Sequence, residues 1–84
     1  MTKEEIFEVI QQNIMEVLEE IPKDTVKIDK SMKDLGANSV DRMEIIAMTM
    51  EALDVKIPLV EFGSVKNIQR LVDLLYEKRN NSVS

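Results

Sequence analysis

The sequence contains no cysteine, no histidine and no tryptophan, and its aromatic side chains are limited to one tyrosine and two phenylalanines. Without cysteine and histidine, the chain lacks thiol nucleophiles, imidazole bases and the usual zinc ligands. A small domain held together by disulfides or by a zinc site is therefore excluded, and most enzyme mechanisms are disfavoured.

Long hydrophobic runs are also missing. The longest, from Ile45 to Met48, is far shorter than the roughly 20 apolar residues that cross a bilayer, and no charged-then-apolar leader opens the chain. Sixteen acidic residues against eleven basic ones give a net charge of −5, which repels nucleic-acid phosphates and anionic lipid. We expect a cytoplasmic monomer without a membrane span or nucleic-acid partner, whose protein partners present basic surfaces.

Apolar residues make up 44% of the 84 positions, enough for one small core and too few for two domains. With so few aromatics, this core must consist of isoleucine, leucine, valine and methionine, and helix packing is the remaining source of stability. We predict an all-α fold: a small antiparallel bundle of three main helices and a short one, with a long loop between the first and second helices.

The first helix should begin at Thr2, because Thr2 and Glu5 have the spacing of a capping box. Pro22 should end it, since a residue before proline avoids the helical conformation. Its apolar stripe recurs at three- and four-residue steps and contains Ile6, Phe7, Ile10, Ile14, Val17, Leu18 and Ile21. The long loop, residues 23–38, has Gly36 near its end and is anchored by Val26, Ile28, Met32 and Leu35.

A second helix should extend from Ser39 to Leu53, capped by Asn38 or Ser39. Apolar residues occupy most of its circumference and leave a narrow strip that contains Asp41, Glu44, Met48 and Glu51. Two apolar sides and an acidic edge indicate a core face and a docking face. The alternative is a central helix that contacts all the others.

The last part of the chain should contain one more main helix. Pro58 opens a connection, residues 59–63, with room for one helical turn at most, and Ser64 can cap the helix that follows. Its apolar stripe contains Val65, Ile68, Leu71, Val72 and Leu75. We assign residues 1–79 to one domain and expect residues 80–84 to form a disordered polar tail.

Ser39 has three possible roles at the start of the second helix. As a nucleophile it would need a base other than histidine, and neither GxSxG nor SxxK surrounds it. As a helix cap it needs no further partner. As a site of phosphate attachment it lies where first-turn N–H groups and the helix dipole stabilise an anion, although the charge of Asp41 opposes one.

The run DLGANSVD, residues 34–41, resembles the D-L-G-x-D-S-L-D signature of acyl carrier proteins. The distance from Ser39 to Ile57-Pro58 and the last apolar stripe are also similar, so the resemblance covers nearly the whole chain. It implies that a phosphopantetheinyl transferase attaches 4′-phosphopantetheine from coenzyme A to the Ser39 hydroxyl, and that acyl groups are held on this arm as thioesters. The protein would then be a carrier and not an enzyme, without a catalytic residue or a metal ligand.

The same resemblance implies that partner enzymes dock on the second helix. Val40 and Met43 would supply apolar contacts, and Asp41 and Glu44 would face basic partner residues. Asn38, Val40 and Arg42 depart from the usual pattern, in which an acidic residue and a leucine flank the serine. The complete expected docking set is Val40, Asp41, Arg42, Met43, Glu44 and Met48.

These departures, together with the connection Leu59–Val60–Glu61–Phe62, favour specialised metabolism over bulk fatty-acid synthesis. The chain resembles a discrete polyketide-synthase carrier, of the type that donates acetyl units to a hydroxymethylglutaryl (HMG)-synthase-like enzyme for β-branching. The expected partners are therefore an acyltransferase, a ketosynthase or an HMG-synthase-like enzyme. The alternatives are a fatty-acid or aminoacyl carrier and, in another class, an unmodified helical adaptor that binds a basic partner.

Overall fold

The computed structural model describes residues 1–81, which form three α-helices, two 3₁₀ helices and no strand. The α-helices are α1 (Lys3–Val17), α2 (Ser39–Leu53) and α3 (Ile68–Asn81), and the 3₁₀ helices are Lys23–Thr25 and Leu59–Ser64. α1 packs against both α2 and α3. The radius of gyration, 11.9 Å, matches the roughly 12 Å of a compact chain of this length. The predicted all-α bundle with a long first loop is confirmed.

The core consists almost entirely of branched aliphatic side chains. α1 contributes three isoleucines, and the other two helices face them with residues of the same kind. All six methionines lie within the described residues, and Met32 is the only one that is buried. Methionine, a flexible side chain, therefore contributes less to the core than we expected. The fully buried apolar side chains are Ile6, Ile10, Ile14, Val26, Ile45, Leu53, Ile68, Leu71, Val72 and Leu75.

α1 begins at the predicted capping box but ends earlier than predicted, at Val17 instead of near Pro22. Leu18 leaves the helical conformation (φ −103°, ψ 78°) while its N–H still donates to the Ile14 carbonyl at 2.7 Å. The N–H of Ile21 then donates to the Leu18 carbonyl at 3.1 Å, which forms a turn before the proline. Leu18 and Ile21 still pack against the core, so the apolar period continues past the end of the helix.

The connection before α3 is longer and more regular than predicted. Leu59–Ser64 forms a six-residue 3₁₀ helix instead of at most one turn. Ser64 is its last residue and not the cap of α3, because Val65 is extended (φ −82°, ψ 113°) and interrupts the helical backbone. The ion pair of Lys78 with Glu61, at 2.9 Å, joins this segment to α3.

α3 begins at Ile68, four residues after the predicted cap. The side chain of Asn67 accepts a hydrogen bond from a first-turn N–H at 2.9 Å and is the actual capping group. The long loop satisfies two further N–H groups, since Ile68 donates to the carbonyl of Lys30 at 2.9 Å and Gln69 to that of Ile28 at 2.8 Å. Tertiary contacts with a distant segment therefore determine where this helix starts.

At its other end, α3 includes Asn80 and Asn81, the first two of the five residues expected in a disordered tail. Positions 82–84 lie outside the described residues. Within the part of the chain that the structure covers, no helix has the length and apolar character needed to span a membrane.

Candidate functional site

The loop before α2 is folded by a pair of reciprocal hydrogen bonds. The N–H of Asp34 donates to the Ser31 hydroxyl at 3.0 Å, and the N–H of Ser31 donates to the Asp34 carboxylate at 3.3 Å. The backbone N–H of Ser31 and, to a smaller extent, its hydroxyl hold the pKa of Asp34 below its ordinary value. Gly36 follows with a positive φ of 95°, which favours glycine, and buried Ala37 donates its N–H to the Met32 carbonyl at 3.0 Å.

Asn38, and not Ser39, caps α2. The N–H of Asp41 donates to the Asn38 side-chain oxygen at 2.8 Å, and the N–H of Asn38 donates to the Asp41 carboxylate at 3.3 Å. Ser39 is the first helical residue, and its side chain is exposed. Its Oγ accepts a hydrogen bond from the Arg42 guanidinium at 3.2 Å. The hydroxyl of Ser39 is thus at the surface and takes no part in capping.

A cleft of about 470 Å³ lies beside Ser39, where α2, the second 3₁₀ helix, the start of α3 and the long loop meet. Most of its lining is apolar and comes from Met32, Met43, Ile46, Phe62, Val65 and Leu71. Its charged lining residues are Lys33, Arg42 and Lys66, and none of the described residues that line it is acidic. In a chain with a net charge of −5, this cleft is therefore a local concentration of positive charge.

The expected docking residues fall into two groups in the structure. Val40 and Met43 are 72% and 54% exposed, and Glu44 is also exposed. Their spacing of three and four residues places them on one face of α2. The carboxylate of Asp41 is engaged in the capping box. The half-buried members of the expected set are Asp41, Arg42 and Met48.

Four surface residues near this region were missed by the sequence reasoning. Leu59 and Val60 are 54% and 84% exposed on the second 3₁₀ helix. Two adjacent apolar residues after a proline are a weak signal of such exposure. No local pattern connects Lys33 with Lys66, because the two residues come from segments that meet only in the folded chain.

The chemistry of the site is that of an accessible hydroxyl next to a cation. Among the residues described, no group of three or more acidic side chains could hold a metal ion. The loop and the capping box of α2 instead place a serine hydroxyl at the surface, with a guanidinium beside it and an apolar cleft next to both. Such a site fits a covalently attached phosphate that continues into a flexible organic chain.

Comparison with known proteins gives a family match across most of the chain. The family described as "Phosphopantetheine attachment site" matches residues 8–75. The polyketide biosynthesis acyl-carrier-protein AcpK of Bacillus subtilis (strain 168) is 47% identical over 93% of this chain and 95% of its own length. Acyl carrier proteins of Guillardia theta and Cyanidium caldarium are 33% and 31% identical, over 93% and 100% of this chain and 96% and 98% of theirs. No solved structure matches the chain.

These matches agree with the signature at residues 34–41 and with the helical bundle. The group that the family carries, 4′-phosphopantetheine, has a phosphate at one end and an extended amide chain beyond it. An exposed hydroxyl, a neighbouring guanidinium and an apolar cleft fit both parts of that group. The chain belongs to the acyl carrier proteins, a family whose members bear 4′-phosphopantetheine and are carriers rather than enzymes.

Proposed function

We propose that Ser39 is the attachment point of 4′-phosphopantetheine and that a separate phosphopantetheinyl transferase forms the phosphodiester from coenzyme A. The observation that carries this proposal is the exposed Ser39 hydroxyl at the first residue of α2, inside the segment that the family matches. Because Asn38 supplies the cap, esterification of Ser39 leaves the capping box of α2 intact. When bound, the group supplies the thiol that the chain lacks, on which acyl groups are held as thioesters.

Partner enzymes would dock on the exposed face of α2 next to Ser39. Val40 and Met43 offer apolar contact area there, and Glu44 offers a negative charge to basic partner residues. Met48 lies four residues beyond Glu44 and extends this face by one turn. Charges at the rim of an interface mainly raise the rate of encounter, which suits a carrier that must also dissociate.

Polyketide biosynthesis is the pathway that the comparisons favour. Identity to the polyketide carrier of Bacillus subtilis is 47%, against 33% and 31% for the two acyl carrier proteins reported above. The specific role that we propose is to donate acetyl units to an HMG-synthase-like enzyme. A ketosynthase or an acyltransferase would be the partner if the cargo is another acyl group.

The attachment is tested by incubating the protein with coenzyme A and a broad-specificity transferase and then measuring its intact mass. The wild type should gain the mass of one phosphopantetheine group, and Ser39→Ala should gain none. Ser31→Ala is the matched control, because Ser31 lines the same cleft, and it should gain the same mass as the wild type. An unmodified wild type would support the adaptor alternative, and a gain that persists in Ser39→Ala would reject Ser39 as the site.

Delivery is tested separately with the loaded protein. Acetylated protein is mixed with a purified HMG-synthase-like enzyme or with a ketosynthase, and loss of the acetyl mass is followed over time. We expect faster loss with the HMG-synthase-like enzyme. Faster loss with the ketosynthase would assign the protein to chain extension, and no loss with either would reject both proposed partners.

A further inference from the structure

We propose that Arg42 is an ionic clamp for the phosphodiester on Ser39 and that it directs the arm towards the adjacent cleft. This inference rests on the proposed attachment to Ser39. Arg42 is one of the positions at which the chain departs from the usual pattern of acyl carrier proteins, and it introduces a positive charge among the expected docking residues. Arg42 would then act on the prosthetic group of its own chain, as a positioning residue.

The contact between Arg42 and Ser39 is already formed. A terminal guanidinium nitrogen lies 3.2 Å from Ser39 Oγ, and the spacing of three residues keeps both side chains on one face of α2. Once esterified, Oγ is bonded directly to phosphorus, so the non-bridging oxygens lie within reach of the same guanidinium. Arginine presents its donors in a planar fork that binds two phosphate oxygens together.

Several backbone N–H groups at the start of α2 already have partners. The N–H groups of Asn38 and Asp41 are used by the capping box. The N–H of Arg42 donates to the Asn38 carbonyl at 2.9 Å. The Asp41 carboxylate adds a negative charge to the same turn. A cationic side chain would add to what the first turn of α2 offers the anion, and the Arg42 guanidinium is already in contact with the oxygen that would bear the phosphate.

The charged residues around the cleft indicate the direction in which the arm would leave Ser39. Lys33 and Lys66 line it together with Arg42, and its described lining contains no carboxylate. Cations are thus grouped on the cleft side of Ser39, whereas Glu44 is exposed on α2. A phosphodiester held by Arg42 would point the first part of the arm over the apolar lining of the cleft. Fixing the base of the arm in this way reduces the conformational freedom lost when a partner binds it.

The most direct test is a comparison of unmodified and loaded wild-type protein by nuclear magnetic resonance. We expect the side-chain N–H signal of Arg42 to shift on loading. The shift should diminish in about 1 M salt, where the screening length is about 3 Å. An Arg42 side-chain signal that is the same in both forms would overturn the clamp. Because intact mass first confirms loading, this result is distinguishable from failure of the proposed attachment.

Variants extend the test to the arm itself. We expect loaded Arg42→Gln to show a shifted phosphodiester ³¹P signal and a more mobile arm than the wild type, with Arg42→Lys in between because lysine keeps the charge and loses the fork. Arg70→Gln is the matched control, since Arg70 is exposed on α3 and does not line the cleft. If Arg42→Gln and the wild type give the same ³¹P signal and arm mobility, the clamp is rejected. If Arg42→Gln cannot be loaded, the wild-type comparison decides.

Discussion

Asn38 and Ser39, which are adjacent at the start of α2, have different roles. Asn38 accepts the hydrogen bond that caps the helix, and Ser39 presents its hydroxyl at the surface. Sequence reasoning identified both as possible caps and could not choose, because serine and asparagine have similar capping preferences. The choice depends on which residue begins the helical backbone. Here that residue is Ser39, so its side chain is available for another purpose.

This division predicts that the cap and the hydroxyl can be separated by mutation. Asn38→Ala should lower the free energy of unfolding by about 1 kcal/mol, because the N–H of Asp41 loses its acceptor. Ser39→Ala should change it by less than about 0.5 kcal/mol, as expected for a surface residue without a capping role. Urea denaturation of the two variants measures both values. A larger cost for Ser39→Ala would show that Ser39 is the cap.

At the scale of helices, a hydrogen bond between side chains joins α1 to α2 beside their apolar core residues. The hydroxyl of Thr49, which is 1% exposed, donates to the Ile45 carbonyl at 2.7 Å. It also accepts a hydrogen bond from the Asn13 side-chain amide at 2.9 Å. The apolar periodicity that predicts helices cannot predict a buried polar contact of this kind, because it assigns both polar residues to the surface.

Replacing Thr49 with valine should therefore destabilise the fold although the two side chains have similar shapes. We expect a loss of about 1–3 kcal/mol, because the half-buried Asn13 amide loses its acceptor. Thr25→Val is the control, since Thr25 is exposed in the first 3₁₀ helix, and it should cost little. Combining Thr49→Val with Asn13→Leu should recover part of the loss if the two residues are coupled. Strictly additive costs in denaturation experiments would contradict the coupling.

Acid should weaken the contact between α3 and α1. Lys3 forms an ion pair with Asp73 at 3.0 Å, and hydrogen bonds from Lys3 and then Gln69 lower the pKa of Asp73. A carboxyl whose pKa is lower in the folded state stabilises the protein above its unfolded pKa, about 3.9, and this stability is lost as the pH falls through the folded pKa.

We therefore expect Asp73→Asn to reduce the acid dependence of unfolding below about pH 4. The pair contributes about 1 kcal/mol at most, because both side chains are partly exposed. Glu5 and Asp34 also have lowered pKa values, so part of the dependence should persist in the variant. An unchanged pH profile of the melting temperature would show that the pair contributes nothing.

The elements differ in how far the sequence predicts them. The bounds of α2 were predicted as observed, because the cap and the apolar residues are contained within one segment. The predicted end of α1 was wrong because Leu18 and Ile21 pack against the core although they lie in a turn and not in the helix. The predicted start of α3 was wrong because carbonyl groups of the distant long loop accept hydrogen bonds from its first N–H groups.

Within the site, the contact of Ser39 with Arg42 could have been predicted from their spacing of three residues on a helix. The presence of Lys33 and Lys66 at the same cleft could not, because their segments meet only in the folded chain.

At the scale of the whole molecule, the net charge is negative although the charged residues that line one cleft are positive. The chain has a net charge of −5, yet the cleft beside Ser39 is lined by three cations. Composition supports the expectation of basic partners for the molecule as a whole, and the structure adds that the cleft side of Ser39 presents cations, whereas Asp41 lies in the same helical turn. The absence of cysteine is consistent with this family, because an acyl carrier obtains its thiol from a prosthetic group.

Peptide mapping of the protein purified from its native host tests the central claim most directly. Trypsin cuts after lysine and arginine and should release residues 34–42, DLGANSVDR, in which Ser39 is the one hydroxyl side chain. We predict that this peptide bears the mass of phosphopantetheine, with or without an acyl group. An unmodified peptide 34–42 from protein that bears the group elsewhere, or from protein that is never modified, would contradict Ser39 as the attachment site.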